Sequence, residues 1–177
     1  DQFSEAGVSS SVFAAVVDGS GNLYIGGDFT AVGSLPTNRI AKWNGTSWSA
    51  LGTGMNRDVY ALAVSGSNVY AGGYFTTAGG TTANRIAVWN GTSWSALGSG
   101  MNNTVLTLAV SGNALLAGGL FGTAGAKASY SYAQWQPRVN VTTESVSASP
   151  GAMTIGNDVY GFYKPALMTG AGTTVSY

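Results

Sequence analysis

Short apolar runs separated by clusters of glycine, asparagine, serine and threonine set the rhythm of the chain. Val59–Ser65 (VYALAVS) is almost wholly apolar, as a strand covered on both faces would be. Ser65-Gly66-Ser67-Asn68 makes a turn, and Asn68–Phe75 (NVYAGGYF) is a second strand with a glycine pair at its middle. Glycine inside a strand marks a bulge or a close neighbouring backbone. A loop of small residues, Thr76–Ala83, leads to Arg85–Trp89 (RIAVW), which alternates. The chain then turns at Asn90-Gly91 and returns as Thr92–Leu97 (TSWSAL). Asn-Gly between alternating runs predicts a type I′ hairpin, in which both central residues take positive φ. Ala, Leu, Glu and Lys never cluster at i, i+4 spacing over ten residues, so no helix is predicted.

This four-strand pattern recurs. Trp43, Trp89 and Trp135 stand 46 residues apart, as do Gly26-Gly27, Gly72-Gly73 and Gly118-Gly119, and Met55 and Met101. The string WNGTSWSALG occupies 43–52 and again 89–98. One extra residue, within Asp18-Gly19-Ser20-Gly21-Asn22, is the only slip between the first two units. A period of this length with four strands per unit is the signature of a β-propeller blade. The predicted fold is therefore all-β. Three four-stranded propeller-like blades occupy 1–137, in units of about 12–58, 59–104 and 105–137, and a C-terminal β-rich fibre or oligomerisation segment occupies 138–177.

The third unit departs from the pattern. Gln136-Pro137-Arg138 replaces Asn-Gly-Thr, and the second tryptophan is missing, so its fourth strand is lost or rebuilt. Phe3–Gly7 matches Trp48–Gly52, and an N-terminal strand over 2–7 is expected to complete a blade and remove an exposed edge. Propellers have roughly four to eight blades. Three units then imply a larger ring, closure by oligomerisation, or a compact prism of three sheets.

The string Asn-Arg-Ile-Ala-x-Trp-Asn-Gly-Thr-Ser-Trp-Ser-Ala-Leu-Gly-x-Gly-Met-Asn, followed by an apolar strand and Gly-Gly-x-Phe-Thr, resembles kelch or galactose-oxidase-like propeller repeats of large bacterial and phage surface proteins. The resemblance covers about residues 1–136 and implies a scaffold, a fold on which many activities are built. Beyond Pro137 the repeat ends. Arg138–Ser149 alternates, Pro150-Gly151 is a turn, and Ile155–Tyr160 and Val175–Tyr177 read as short strands. So short a segment buries no core alone, and its apolar side chains are expected to pack between chains. About residues 145–177 resemble segments of phage tail-fibre proteins, whose strands intertwine about a three-fold axis. That resemblance implies a homotrimer, or a join to other fibre or virion proteins.

Composition narrows the chemistry. The chain has 177 residues, of which 27 are glycine, 20 serine and 18 threonine. Only 8% are charged, against roughly 25% in an ordinary domain. Seven acids balance seven bases, which leaves no electrostatic footprint for nucleic acid or anionic lipid. Histidine and cysteine are absent, so the chain can form no disulfide, thiolate or His-based metal site, Ser-His-Asp triad or Cys-His dyad. No apolar run of membrane-spanning length occurs. Asp1–Glu5 has neither a basic start nor an apolar run, so no signal peptide is expected, and the pattern reads as part of a longer protein. The low charge and the wealth of serine, threonine and glycine suit an extracellular surface, on a virion fibre or a bacterial cell.

Four side chains are candidates for ligand contact. Trp48 and Trp94 stand among Thr and Ser near hairpin tips; each suits stacking on the C–H face of a pyranose, or filling the gap between adjacent blades. Arg39 and Arg85 occupy equal positions in the Asn-Arg-Ile-Ala string and suit either a ligand clamp or repeated hydrogen bonds to loop carbonyls between blades. Trp43, Trp89 and Trp135 read as blade-packing core. The acids Asp1, Glu5, Asp18, Asp28, Asp58, Glu144 and Asp158 form no recurring pair of the kind a glycosidase needs. Asp18–Asn22 has a calcium-loop flavour but lacks the later glutamate, and reads as a hairpin turn. No catalytic residue, cofactor or metal is expected. These readings converge on a non-enzymatic structural or adhesive module of an extracellular phage or virion fibre that contacts host-surface glycans; the alternative is a secreted bacterial propeller lectin or surface scaffold.

Overall fold

The computed structural model describes residues 7–136, which are strand, turn or loop with no helix. β1 (Val12–Val17) and β2 (Leu23–Gly27) precede a short hairpin of β3 (Ala31–Val32) and β4 (Leu35–Pro36), after which come β5 (Ile40–Trp43) and β6 (Trp48–Ala50). The long strands form one antiparallel sheet in the order β1-β2-β5-β6. The second unit repeats this: β7 (Val59–Ser65), β8 (Asn68–Gly73), the hairpin β9 (Thr77–Ala78) and β10 (Thr81–Thr82), then β11 (Ile86–Trp89) and β12 (Trp94–Ala96). Its sheet order is β7-β8-β11-β12. The third contains β13 (Val105–Ser111), β14 (Ala114–Gly119), the hairpin β15 (Thr123–Ala124) and β16 (Lys127–Ala128), and β17 (Tyr132–Trp135). Its sheet is β13-β14-β17, so two four-stranded sheets and one three-stranded sheet stand where three of four were expected. The place in sequence of the missing strand, after Trp135, falls at 137 and beyond, outside the described residues. No closed ring of sheets forms among the described residues.

Consecutive sheets pack face to face, with β7 against both β1 and β13. Between the first two sheets, Tyr24, Ile40, Leu51 and Met55 meet Val59, Val69, Phe75 and Trp94. Between the second and third, Tyr70, Ile86, Leu97 and Met101 meet Val105, Leu115 and Phe121. Each of these residues lies 46 positions after its counterpart in the first interface, so one packing solution is used twice. Non-directional burial of this kind is the main stabilising force. It explains the near-continuous apolar run of β7, whose sheet is covered on both faces.

The glycine pair has two separate causes. A Cβ on Gly26 would lie 2.6 Å from Cγ1 of Val59 in the next sheet, and one on Gly72 would lie 2.6 Å from Cγ1 of Val105. The second glycine faces backbone: a Cβ on Gly27, Gly73 or Gly119 would stand 2.0, 2.0 or 2.1 Å from the carbonyl oxygen of Ser11, Asp58 or Thr104. Opposite each pair the register slips, between Val12 and Ala14, Val59 and Ala61, and Val105 and Thr107. The close approach and the bulge that a strand glycine signals are therefore both present, on adjacent residues.

Two local expectations are corrected. The Asn-Gly turns are four-residue loops, Asn44–Ser47 and Asn90–Ser93, with Trp43 opposite Trp48 and Trp89 opposite Trp94. Only Gly45 and Gly91 take positive φ there, at 95° and 97°. The asparagine side chain makes the turn instead: Asn44 Oδ1 accepts from the N–H of Thr46 and Ser47, and Asn90 Oδ1 from those of Thr92 and Ser93. The small-residue loop Thr76–Ala83 contains the β9–β10 hairpin.

Of the expected N-terminal strand only Gly7 is described. Its carbonyl accepts from Gly33 N–H, as Gly54 accepts from Gly79 and Gly100 from Gly125, and Val8 bridges Val32 as Met55 bridges Ala78. Gly7 thus takes the place of Gly54, two positions beyond the Gly52 with which the sequence match aligned it. Residues 1–6 and the segment 138–177 expected to oligomerise lie outside the described residues.

Candidate functional site

Arg39, Arg85 and Ser131 hold the same place in the three units, and their φ angles are 65°, 63° and 62°. Left-handed backbone costs an L-residue about 1–2 kcal/mol. It is held here by hydrogen bonds on both sides. The N–H groups of Arg39, Arg85 and Ser131 donate to the carbonyls of Phe29, Phe75 and Phe121, each at 2.9 Å, and their carbonyls accept from Gly27, Gly73 and Gly119. Ser131 adopts the same geometry, so the backbone does not require a guanidinium at this place.

Asparagines tie the loops around each arginine. Asn38 Nδ2 donates to the Thr53 carbonyl at 2.9 Å, and Asn84 Nδ2 to the Ser99 carbonyl at 3.1 Å. Asn56 Oδ1 accepts from the N–H groups of Thr76 and Thr77, and Asn102 Oδ1 from those of Gly122 and Thr123. In the first unit Ser9 Oγ does this work, accepting from Thr30 and Ala31. Between these groups a shallow cleft opens at each unit boundary. One, of about 270 Å³, is lined by Asn38, Arg39, Thr53, Met55, Asn56 and Thr77. The other, of about 330 Å³, is lined by Asn84, Arg85, Ser99, Met101, Asn102 and Thr123.

The Nε atoms of Arg39 and Arg85 are buried with no hydrogen-bond partner. The loop-carbonyl bonds expected of the arginines are made by the preceding asparagines instead. The Arg85 guanidinium lies 5.7 Å from the ring centre of Tyr74, within cation–π range. The amides of Asn38, Asn56, Asn84 and Asn102 are engaged in the loops. Each cleft offers a ligand guanidinium and hydroxyl groups, together with the amide atoms that the loops leave unbonded, Oδ1 of Asn38 in one and Oδ1 of Asn84 and Nδ2 of Asn102 in the other. Among the described residues no three His, Cys, Asp or Glu side chains cluster.

The two candidate tryptophans part company. Trp94 is 5% exposed, its indole N–H donates to the Leu51 carbonyl of the preceding unit at 2.8 Å, and its ring packs 5.5 Å from Trp89. It fills the gap between units, and its faces are spent on protein. Trp48 is half-buried beside Ile25, Phe29 and Trp43. Neither tryptophan lines a cleft with Arg39 or Arg85. The cleft asparagines were missed from the sequence, although Asn38/Asn84 and Asn56/Asn102 keep the 46-residue spacing.

Asp18 closes the β1–β2 turn. Its Oδ1 accepts from the N–H groups of Ser20 and Asn22, and its Oδ2 accepts from Asn22 Nδ2 and the Tyr24 hydroxyl. Burial raises the carboxyl's pKa, but the bonds from Asn22, Ser20 and Tyr24 outweigh it and lower it to about 2. Burial and the bond to Asp18 push the Tyr24 hydroxyl up to about 12. All of the Asp18 acceptor capacity used here serves the hairpin.

No protein-family model matches the chain, and no curated protein matches it.

Proposed function

We propose that this chain is a non-enzymatic adhesive module, built of propeller-like blades, that projects from an extracellular phage or virion fibre and contacts surface glycans through the cleft repeated at its unit boundaries. The observation that carries this reading is the pair of equivalent clefts, each lined by an arginine among hydroxyl groups. Sugar hydroxyls and ring oxygens are acceptors spaced along a chain. Two equivalent clefts on successive units suit a repeating polysaccharide, because a second contact within one molecule raises avidity without new chemistry. In this reading the fibre-like segment 138–177 holds three copies together, and Trp48 and Trp94 support the sheets.

A secreted bacterial lectin or surface scaffold is the second reading. It is favoured by the fact that both clefts lie wholly within residues 38–126 and need nothing from 138–177. Both readings meet the same first test. The full chain and its Arg39→Ala/Arg85→Ala variant are passed over an array of bacterial and animal surface glycans, and any hit is measured by calorimetry. Loss of one hydrogen bond to a charged donor in each cleft predicts at least about a tenfold fall in affinity. An unchanged affinity in the variant, or a wild-type chain that binds no glycan, overturns the assignment.

A further inference from the structure

We infer that the chain associates head to tail with a second copy of itself, the open face of its first sheet docking on the open face of its third. The interface is the one already used twice within each copy. At both internal boundaries a valine that begins a sheet enters the space above a glycine of the preceding sheet: Val59 over Gly26, and Val105 over Gly72. Val59 and Val105 are 0% exposed. Val12 begins the first sheet at the same place and is 40% exposed, a knob with no hole. Gly118 holds the place of Gly26 and Gly72 in the third sheet. The nearest atom to a Cβ there is the Thr107 hydroxyl of its own sheet, at 2.6 Å, so among the described residues it is a hole with no knob.

The surroundings of the two open faces agree. Ile40 and Ile86 are 0% and 1% exposed because the next sheet covers them; Tyr132, in the same position on the third sheet, is 55% exposed. Val17 is exposed, whereas its counterparts Val64 and Val110 are half-buried against a neighbouring sheet. Each copy thus presents both halves of one interface at opposite ends. Such a heterologous contact either propagates or closes into a ring. Two copies supply six sheets, inside the range of about four to eight that closes a propeller, and three copies would supply nine, outside it. The occupant is therefore one further copy, and the contact occurs twice per pair. This does not depend on the carbohydrate reading.

The chain has no cysteine, so a disulfide can be placed without competition. At the two internal boundaries the Cβ of the valine lies 3.1 and 3.2 Å from the ideal Cβ position on its glycine, close to the roughly 3.8 Å of a disulfide. Full-length Val12→Cys and Gly118→Cys are prepared separately, then mixed under mild oxidation. The mixture should give a disulfide-linked pair of chains in at least about tenfold greater yield than either variant alone, because in each alone the partner position is not cysteine. Val12→Asp, at a site 40% exposed, should leave the thermal melt of the sheets in place and halve the particle mass in sedimentation, whatever other contact the chain makes. A mixture that cross-links no better than Val12→Cys alone overturns the inference. So does a Val12→Asp mass equal to that of the wild type. Glycan binding measured on the same Val12→Asp protein separates failure here from failure of the cleft assignment.

Discussion

The clearest physical test of the repeat is the contact between Gly72 and Val105. A Cβ on Gly72 would meet Val105 Cγ1 at 2.6 Å, Val105 Cβ at 3.2 Å and Leu108 Cδ1 at 3.3 Å. Gly72 does not take positive φ, so alanine is not strained by its own backbone there. Replacing a strand glycine by alanine returns about 0.5–1 kcal/mol of unfolded-state entropy. Overpacking against Val105 costs about 1–3 kcal/mol, so Gly72→Ala should destabilise by about 1–2 kcal/mol net. Val105→Ala removes two buried carbons and leaves a cavity, at about 2–3 kcal/mol. In the double variant the new methyl group occupies part of that cavity and its closest clash, with Cγ1, disappears, leaving the tight contacts at 3.2 and 3.3 Å. Gly72→Ala/Val105→Ala should then be no less stable than Val105→Ala alone, with a coupling of at least about 1 kcal/mol in favour of the pair, beyond the roughly 0.5 kcal/mol scatter of independent sites. Urea unfolding followed by tryptophan fluorescence gives all four corners of the cycle. Gly118→Ala should cost less than Gly72→Ala, since the oxygen in its way, Thr107 Oγ1 at 2.6 Å, belongs to an exposed side chain that can change its χ1 rotamer, as buried Val105 cannot. Additive behaviour of the pair would refute the knob-and-hole account, and with it the argument for the head-to-tail contact.

Two further outcomes follow from single contacts. Trp94→Phe removes one of the two donors to the buried Leu51 carbonyl, which keeps Gly54 N–H at 3.2 Å, and should cost about 0.5–1.5 kcal/mol beyond the lost ring volume, more than Trp48→Phe at the half-buried equivalent, as read by the same urea transitions. The folded-state pKa of Asp18 is depressed from 3.8 to about 2, so its contribution is present above pH 4 and lost as pH falls through 2; thermal melts from pH 5 to pH 1.5 should show a fall in that window that Asp18→Asn lacks.

The repeat was legible in the sequence because each boundary must rebuild the same environment from its own residues. A glycine under a valine, and a glycine over a bulge, leave no freedom to vary, so the pairs at 26–27, 72–73 and 118–119 stand out. The hairpin type was not legible, because asparagine competes for the turn through its side chain as well as through positive φ. The β9–β10 hairpin was hidden because strands of two residues cannot display alternation. The left-handed arginines gave no signal at all: positive φ is advertised by glycine, and Arg39 and Arg85 are held there by neighbours' hydrogen bonds. The difference between Trp94 and Trp48 lies outside their own near-identical surroundings in sequence. It arises from what the preceding unit places over each ring.

The third unit separates the residues that packing demands from those that it does not. Phe121, Leu115 and the glycine pair keep their places, and Ser131 keeps the left-handed backbone, so the three described strands and their interface with the second unit survive. What changes is the cleft. Tyr130 stands where Asn38 and Asn84 tie the loop, Ser131 where the arginines stand, and Ala126, at φ 63°, where Gly80 stood. A unit that folds without Asn-Arg is direct evidence that folding does not call for it. Each arginine meanwhile leaves a buried Nε without a partner, at about 1–3 kcal/mol, a cost that Ser131 on the same left-handed backbone does not carry. A pair of side chains that two units keep and the third folds without is what the proposed glycan contact would put to use, and the Arg39→Ala/Arg85→Ala variant is where that proposal meets its test.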